Sequence, residues 1–339
     1  MNKILLIQTA FLGDVVLATA LIEKLHQQYP QAQLDFLLRK GNEALLKGHP
    51  LLTNLFVWDK KGGKYKNLFN LIKQVRGQKY DLVVNVQRFG ATGLLTALSG
   101  AKQTVGFDKN PFSRFFSKVV PHSVTAGEHE VSRNHKLIAH LTDNQPGRPK
   151  LYPAASDFEK VKSLKAQPYI CVAPASVWFT KQFPEQQWVK LLNSLPEKYT
   201  VYLIGAPADK ELAERIMAAS TNTNTVNLCG SLNLLQSAAL MQGAVLNYVN
   251  DSGPMHLASS QNAPVCAVYC STVPAFGFGP LSDFSEIVET AEPLNCRPCG
   301  LHGYKACPEG HFRCATGIQT AQLLAVLQRA EQVAGITVG

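Results

Sequence analysis

Short apolar runs alternate with longer amphipathic segments along nearly the whole chain, and this alternation constrains the fold more than any other feature of the sequence. The apolar runs that predict strands are 3–7, 33–38, 55–58, 81–86, 104–107, 169–173, 200–205, 225–228, 244–249 and 264–269. The segments with apolar residues at three- and four-residue spacing, which predict helices, are 14–28, 65–77, 90–98, 185–195, 208–219, 232–241, 253–260 and 319–334. An alternating order of strands and helices predicts an α/β fold with parallel sheets.

The alternation is interrupted once, at residues 144–168. This segment contains Asn144-Gln-Pro-Gly-Arg-Pro-Lys150 and the polar stretch 154–165, a composition typical of a linker. A chain of 339 residues is long enough for two domains. We therefore predict two Rossmann-like domains, 1–160 and 161–339, facing across a cleft that is the default ligand site. The last helix either completes the second domain or packs back on the first.

The excess of positive over negative charge lies entirely in the first half of the chain. Residues 1–150 carry 21 Lys or Arg against 10 Asp or Glu, a net charge of +11, whereas residues 151–339 carry 12 against 14, a net charge of −2. Such a half attracts an anionic partner, for which nucleic acid, an anionic membrane surface and an acidic substrate are the candidates. Ordinary solubility is the alternative explanation.

Several function classes are disfavoured by motifs that the sequence lacks. No phosphate loop of the G-x-x-x-x-G-K-[ST] type and no G-x-G-x-x-G fingerprint follows a predicted strand, which argues against a P-loop ATPase and a standard NAD dehydrogenase. His129 and His135 are six residues apart rather than the four of a zinc-protease helix, so we interpret this segment as a helix start. The longest apolar runs end within about eight residues, far short of the roughly 20 that a membrane-spanning helix needs. Without a secretory signal pattern, a cytoplasmic location with reduced cysteines is expected.

One acidic residue stands where the first strand turns into the first helix. Gly13 permits a tight turn, and Asp14 falls at or near the helix N-cap, where the backbone amides and the helix dipole favour an ionised carboxylate. Asp14 is therefore either a simple capping residue or a general base that takes a proton from an acceptor hydroxyl.

Two segments of the second half offer groups that bind anions. The loop after the first strand of that half contains Ser176, Thr180 and Lys181, which supply two hydroxyls and a positive charge suited to a phosphate. The later segment Asn250-Asp-Ser-Gly-Pro-Met-His256 opens a helix whose N-terminal amides form an anion site around Ser252 and Gly253. Within it, Asp251 is either a cap or a ligand contact, and His256 is either a packed helix residue or a donor-binding one.

Four motifs in this order resemble glycosyltransferase family 9, the ADP-heptose:lipopolysaccharide heptosyltransferases. They are Gly13-Asp14 with the apolar helix after it, Thr180-Lys181-Gln-Phe-Pro184 with Trp188, Leu228-Cys-Gly-Ser-Leu232, and the segment from Asn250 to His256. The resemblance implies a GT-B fold, with the acceptor on the first domain and the nucleotide-sugar on the second. It also implies a metal-independent, inverting transfer of heptose from ADP-L-glycero-D-manno-heptose to a lipopolysaccharide inner-core acceptor.

Carried over residue by residue, the resemblance makes Asp14 the general base. Lys181 and the turn Asp251-Ser252-Gly253 would hold the diphosphate. A lysine and helix-end amides can stabilise the charge that grows on a leaving diphosphate without a cation. Two departures from the family pattern, Gln182 in place of a basic residue and Ala173 before the loop, leave donor and acceptor preference open.

The resemblance also accounts for the basic first half. Lys60, Lys61 and Lys64 occupy the loop where relatives place acceptor-binding basic residues, and Arg114 stands in a later loop. Each is either an acceptor contact or a solvated surface charge. An acceptor presented at the anionic inner face of the inner membrane implies peripheral membrane contact through basic and aromatic residues. Phe112, Phe115 and Phe116 are either part of that surface or core residues.

Half of the eight cysteines fall close together near the C-terminus, as Cys296-x2-Cys299-x7-Cys307-x6-Cys314. They either form a structural zinc or iron–sulfur site, with His302 and His311 as alternative ligands, or are reduced thiols in a loop without metal.

Other functions stay open on the sequence alone. Within the enzyme class, the rivals are a GT-B enzyme with another nucleotide-sugar or acceptor and a nucleotide-sugar epimerase. From a different class, the pI of about 9.1 suggests a nucleic-acid-binding protein. The basic residues are scattered through loops, and no aromatic RNA-binding strand, zinc-finger spacing or basic recognition helix accompanies them, so no nucleic acid is expected as a partner.

Overall fold

Each half of the chain folds into its own parallel sheet. In the computed structural model, which describes residues 1–124 and 127–335, the first compact unit is Met1–Tyr152 and the second begins at Pro153. Every strand pair between the described residues is parallel, as the alternating pattern predicts. The α/β class with two Rossmann-like domains is therefore confirmed.

The first unit has six strands among its described residues, in the order β3-β2-β1-β4-β5-β6. The strands are β1 Lys3–Ile7, β2 Gln33–Arg39, β3 Asn54–Trp58, β4 Leu82–Asn85, β5 Gln103–Phe107 and β6 Lys118–Val120. The helices are α1 Leu12–Gln28, α2 Lys64–Gln78, α3 Gly90–Leu98 and α4 Glu130–His135. Strands β1 and β4 are central, and their continuous apolar sequences are typical of strands buried on both faces.

The second unit repeats this architecture, with six strands in its described part in the order β12-β11-β10-β7-β8-β9. The strands are β7 Tyr169–Ala173, β8 Thr200–Leu203, β9 Thr225–Asn227, β10 Leu246–Asn250, β11 Val265–Tyr269 and β12 Ser285–Glu289. The helices are α5 Ala155–Val161, α6 Glu185–Ser194, α7 Lys210–Ala219, α8 Leu234–Gln242, α9 Gly253–Ser260, α10 Arg313–Thr316 and α11 Thr320–Val333.

Large aromatic side chains fill the cores of both units. In the first unit, the inner face of α2 packs with Trp58 and Tyr80 against the apolar residues of β1 and β4. In the second, Trp188 on α6 is fully buried and makes an edge contact with Phe183 at 5.0 Å between ring centroids. Burying aromatic rings of this size is a major part of what stabilises such sheets.

The structure corrects the linker prediction, decides the place of the last helix and adds two strands. The polar stretch predicted as linker contains α5, which packs against α8, so the second unit begins at Pro153 where the sequence pattern placed it at 161. The last helix packs in the second unit, because its apolar residues join the core there and α11 contacts α6 and β12. Strands β6 and β12 were not predicted, since both are short edge strands whose residues are partly exposed.

The search for membrane-spanning helices, made over the described residues, finds none with enough length and apolar character.

Candidate functional site

An ion pair joins two of the predicted donor-binding residues in the second unit. Lys181 ends a 3-10 turn, Phe179–Lys181, in the loop after β7, and Asp251 directly follows β10. Because β7 and β10 are neighbours in a parallel sheet, their carboxyl ends meet at one edge. Lys181 Nζ lies 2.6 Å from Asp251 Oδ2, with the two side chains only 15% and 8% exposed. The Thr272 hydroxyl donates to the same carboxylate oxygen at 2.7 Å.

This geometry changes the role expected for Asp251. A carboxylate bound by a lysine and a hydroxyl has its negative charge partly neutralised, but it still repels a phosphate that approaches it directly. The arrangement instead suits Asp251 to fixing the ammonium group of Lys181 at the sheet edge.

A buried asparagine, not singled out by itself from the sequence, ties the two loops together. Asn250 is the last residue of β10 and is fully buried. Its side-chain amide donates to the Pro174 carbonyl at 2.8 Å, and its Oδ1 accepts from the Phe183 backbone N–H at 2.9 Å. The loop containing Lys181 is therefore held directly against the start of α9. A polar residue at the end of an otherwise apolar strand is the sequence signal that identifies such a residue.

Helix α9 begins beside this ion pair. Ser252 is its N-cap residue, with extended backbone, and Gly253 and Pro254 open the first turn. The N-terminal amides of a helix carry partial positive charge and favour an anion there. His256 lies in the same helix and is only 5% exposed, so packing accounts for its position.

Thr180 anchors a second loop instead of facing outward. Its side chain is 1% exposed, and its hydroxyl oxygen accepts from the Tyr304 backbone N–H at 2.7 Å and from the Ser271 hydroxyl at 3.0 Å. Its backbone N–H donates to the Tyr304 carbonyl at 3.1 Å. Direct donor contact by Thr180, expected from the sequence, is disfavoured because these partners surround the hydroxyl. The structure thus brings the segment around Gly303 against Lys181.

Ser176 is half-buried in the same loop as Lys181. Its carbonyl accepts a hydrogen bond from the Gln182 side chain at 2.6 Å. Gln182 therefore holds this loop in place. The donor contact predicted for the Ser176 hydroxyl remains a prediction.

In the first unit, Asp14 lies in the first turn of α1. The helix begins at Leu12, and the Asp14 carboxylate accepts from the Phe11 backbone N–H at 3.1 Å. The capping interpretation is thereby confirmed, and the interaction fixes the carboxylate at the positive end of the helix. Its role as a general base remains a prediction, which capping does not exclude.

A buried ion pair stands near Asp14, and sequence reasoning missed it. Helix α4 packs against α1 and contains Glu130 and Arg133, whose side chains are 12% and 2% exposed and pair at 2.8 Å. Burial raises the pKa of Glu130, the Arg133 guanidinium opposes that rise, and the Asp14 carboxylate adds to it. The i, i+3 spacing of opposite charges at a predicted helix start was the available signal.

Lys60 is the only one of the four proposed acceptor residues that points inward. Its ammonium donates to the Thr9 carbonyl at 2.8 Å and to the Thr9 hydroxyl at 3.2 Å, and it lies 4.8 Å from the Trp58 ring centroid. Burial lowers the pKa of Lys60, and the charges of Arg39 and Lys64 lower it further. A cationic cluster therefore lies beside the loop that leads into α1. Arg39, which sequence reasoning missed, belongs to this cluster.

The other three proposed acceptor residues, Lys61, Lys64 and Arg114, are exposed. The Arg114 guanidinium stacks over the Phe115 ring at 4.7 Å. Of the aromatic residues expected at a membrane, Phe115 is 56% exposed, but Phe116 is 8% exposed and belongs to the interior, and Phe112 is half-buried. For Phe116 the core alternative is confirmed, because its side chain fills the space above Gly106.

The C-terminal cysteines are neighbours but do not form a metal centre in the described residues. Cys314 is buried, whereas Cys296, Cys299 and Cys307 are half-buried, and all are free thiols. Burial raises the pKa of Cys314 to about 11, with Cys299 and Cys307 adding to the rise. Cys296 Sγ lies 3.9 Å from His311 Nε2. Within residues 1–124 and 127–335, no group of three or more His, Cys, Asp or Glu is arranged to hold a metal ion, so the zinc site remains a prediction from spacing.

Comparisons with known proteins agree on one family. The family model for glycosyltransferase family 9 (heptosyltransferase) matches residues 68–304. Lipopolysaccharide heptosyltransferase 1 of Pseudomonas aeruginosa is 26% identical over 318 residues, covering 88% of this chain and 86% of that protein. A glycosyl transferase family 9 structure from Veillonella parvula has a TM-score of 0.85 at 21% identity and covers 97% of both chains. An E. coli heptosyltransferase solved with ADP-2-deoxy-2-fluoro heptose has a TM-score of 0.73 at 17% identity, covering 95% of this chain and 99% of that one. These structures show that the fold is of the GT-B class.

Proposed function

The chain belongs to glycosyltransferase family 9, the heptosyltransferases, and from this premise we propose that it transfers heptose from ADP-L-glycero-D-manno-heptose to a lipopolysaccharide inner-core acceptor, with inversion at the anomeric carbon. The substrates named for the relatives in Pseudomonas aeruginosa and E. coli support this choice of acceptor and donor. The single observation that carries the proposal is the Lys181–Asp251 pair beside the N-terminus of α9.

At the donor end, these groups can stabilise the leaving diphosphate. The acceptor oxygen forms a bond to the anomeric carbon while the bond from that carbon to the β-phosphate oxygen breaks, and the electron pair departs with ADP. Negative charge therefore grows on the diphosphate. An ammonium held in place by Asp251 and the first-turn amides of α9 can stabilise that charge, and they need no reorganisation as it develops. On this basis the transfer requires no metal ion.

At the acceptor end, Asp14 would take the proton that the attacking hydroxyl loses. Its place in the first turn of α1 favours the ionised form of the carboxylate, which a general base requires. The cationic cluster of Lys60, Arg39 and Lys64 supports an acceptor that carries carboxylates or phosphates. We include Lys61 and Arg114 among the acceptor contacts, since both are exposed basic residues of the same unit.

The proposed acceptor also implies a location. Lipopolysaccharide precursors are anchored in a membrane, so the protein would work in the cytoplasm as a peripheral protein on the inner face of the inner membrane. The net charge of +11 in residues 1–150 supports attraction to an anionic lipid surface.

A structural zinc ion at Cys296, Cys299, Cys307 and Cys314 is a separate proposal. Four thiolates bind zinc tetrahedrally, and the first pair has the C-x2-C spacing of many zinc sites. Elemental analysis of the purified protein tests it. One equivalent of zinc that is lost in Cys299→Ser supports the site, whereas metal-free, folded protein contradicts it.

The donor assignment is tested by calorimetric titration with ADP, UDP, GDP and CMP in the absence of added metal. We expect selective binding of ADP that Lys181→Ala weakens strongly and that Lys190→Ala, an exposed lysine in the same unit, leaves unchanged. Preference for another nucleotide would replace the donor, and binding of none would refute the enzyme assignment at this site.

The base assignment is tested by turnover of ADP-heptose with a lipopolysaccharide acceptor. Asp14→Ala should abolish transfer and leave ADP affinity unchanged, because the carboxylate acts on the acceptor only. Near-normal turnover by this variant would contradict a general-base role.

A further inference from the structure

A strongly basic stretch of the first half surrounds helix α2. Residues 60–80 contain seven Lys or Arg and no Asp or Glu. Part of this charge is the proposed acceptor cluster around Lys60. Lys66, Lys73 and Arg76 lie further along α2, and no step of the proposed reaction uses them.

The outer side of α2 combines aromatic and basic residues. With 100° per residue, Tyr65, Lys66, Phe69, Lys73 and Arg76 fall on one side of the helix, and all five are exposed. We call these five residues the α2 face. The apolar side of the helix lies next to this face and packs in the core of the first unit through Leu68, Leu71, Ile72 and Val75.

Two aromatic rings stand out from this face. Tyr65 is 69% exposed and Phe69 is 58% exposed, and they are one helical turn apart. Exposed aromatic rings next to basic residues, in a helix without a carboxylate, are suited to the interface between lipid and water. There the rings enter the headgroup region while the lysines contact lipid phosphates.

We propose that the α2 face is a docking surface for an anionic lipid bilayer, with Tyr65 and Phe69 inserted at headgroup depth. Charge complementarity favours a bilayer as the occupant, because its phosphates form a continuous anionic surface that can meet Lys66, Lys73 and Arg76 together. The proposal rests on the proposed function in one respect, since an enzyme that acts on a lipid-anchored acceptor must reach the membrane surface.

The test is co-sedimentation of the full chain with sucrose-loaded vesicles of 70% phosphatidylcholine and 30% phosphatidylglycerol, compared with vesicles of phosphatidylcholine alone. The double variant Tyr65→Ser/Phe69→Ser should lower the partition coefficient about 100-fold, roughly tenfold for each ring removed from the interface. Lys66→Ala/Lys73→Ala should lower it about 25-fold, roughly fivefold for each lysine, and the loss should shrink at high salt.

Two control variants match these changes outside the α2 face. Phe89→Ser removes an aromatic ring that is 65% exposed, and Lys160→Ala/Lys190→Ala removes two exposed lysines of the second unit. Both should bind vesicles as the unmodified protein does. Equal loss in the controls, no loss in the α2 variants, or equal binding to neutral vesicles would overturn the proposal.

A second readout separates this proposal from the proposed function. The α2 variants should keep ADP affinity and turnover with a water-soluble, deacylated acceptor, and lose turnover only with acceptor embedded in vesicles. If the unmodified protein binds anionic vesicles through α2 but binds no ADP, the docking surface stands and the enzymatic proposal fails. If it binds ADP and no vesicles, the docking proposal fails alone.

Discussion

The buried pair of Lys181 and Asp251 allows the donor site to be separated into a stability contribution and a binding contribution. Because the two side chains are only 15% and 8% exposed, neither charge is well hydrated without the other. Lys181→Met retains most of the aliphatic stem of the lysine. It removes the ammonium group from the Asp251 carboxylate, which keeps its hydrogen bond from the Thr272 hydroxyl. Removal of one partner of a buried ion pair costs about 3–5 kcal/mol. Because Lys181 is partly exposed, we expect Lys181→Met to lower the free energy of unfolding by about 3 kcal/mol, the lower end of this range.

The double variant Lys181→Met/Asp251→Asn removes both charges together. Replacement of a complete buried pair is often close to neutral, so its free energy of unfolding should lie within about 1 kcal/mol of the unmodified protein. Asp251→Asn leaves the Lys181 ammonium without its carboxylate and should also cost about 3 kcal/mol. The coupling energy of the cycle is then about 5 kcal/mol in favour of the pair. Urea unfolding followed by circular dichroism measures all four proteins, with Lys190→Met as the exposed-lysine control.

Nucleotide affinity should follow a different order from stability. Loss of a charge-assisted hydrogen bond costs roughly 1.5–3 kcal/mol, so Lys181→Met and the double variant should both weaken ADP binding by about tenfold to 100-fold. Asp251→Asn keeps the ammonium but releases it, and should weaken ADP by about tenfold. Tighter ADP binding by Asp251→Asn would refute the view that Asp251 positions the lysine, and unchanged stability of Lys181→Met would refute the energetic coupling.

Three further predictions concern other parts of the molecule. Gly303→Ala should lower the free energy of unfolding by about 2 kcal/mol, because φ is +77° and a Cβ would lie 2.8 Å from a threonine hydroxyl oxygen. Gly300→Ala is the control, since φ there is +64° but no atom lies closer than 3.6 Å to the added Cβ, and it should cost less in the same urea assay. Equal costs for the two variants would show that crowding at Gly303 contributes nothing. Burial lowers the pKa of His49 to about 4, so the unfolded chain binds the extra proton between about pH 6.5 and 4, and stability falls as the pH drops through that range. His49→Gln should flatten this dependence in unfolding measured at pH 4.5 and 7, and an unchanged slope would contradict it. Arg133→Met should cost about 3 kcal/mol by leaving the Glu130 carboxylate buried without its guanidinium, and a neutral result in thermal unfolding would show that the pair is not coupled.

The central elements of both units could be predicted from the sequence because their signal is local. Strands β1 and β7 are continuous apolar runs, and α1 and α6 repeat apolar residues at helical spacing. The edge strands β6 and β12 could not, since their short, partly polar sequences are strands only through pairing with β5 and β11. Helix α5 was mistaken for linker for the same reason, because the side chains that stabilise it belong to α8.

The candidate site divides in a similar way. The residue types of Asp14, Lys181 and the Asn250–His256 segment, with their positions after predicted strands, were enough to indicate an anion site and a carboxylate at a helix start. Contacts between segments that are far apart in the chain could not be predicted from the sequence. Thr180 was expected to bind the donor but is enclosed by Tyr304, more than 120 residues later in the chain.

The sequence by itself determined the parallel α/β architecture, the family and the confinement of the excess positive charge to the first half. These properties depend on residue order, periodicity and composition, which are local quantities. Only the tertiary structure decided that Asp251 pairs with Lys181, that Glu130 and Arg133 form a buried pair near Asp14, and that two aromatic rings on α2 remain exposed. Ion pairing and burial depend on which distant side chains meet when the sheets assemble, and no single stretch of sequence contains that information.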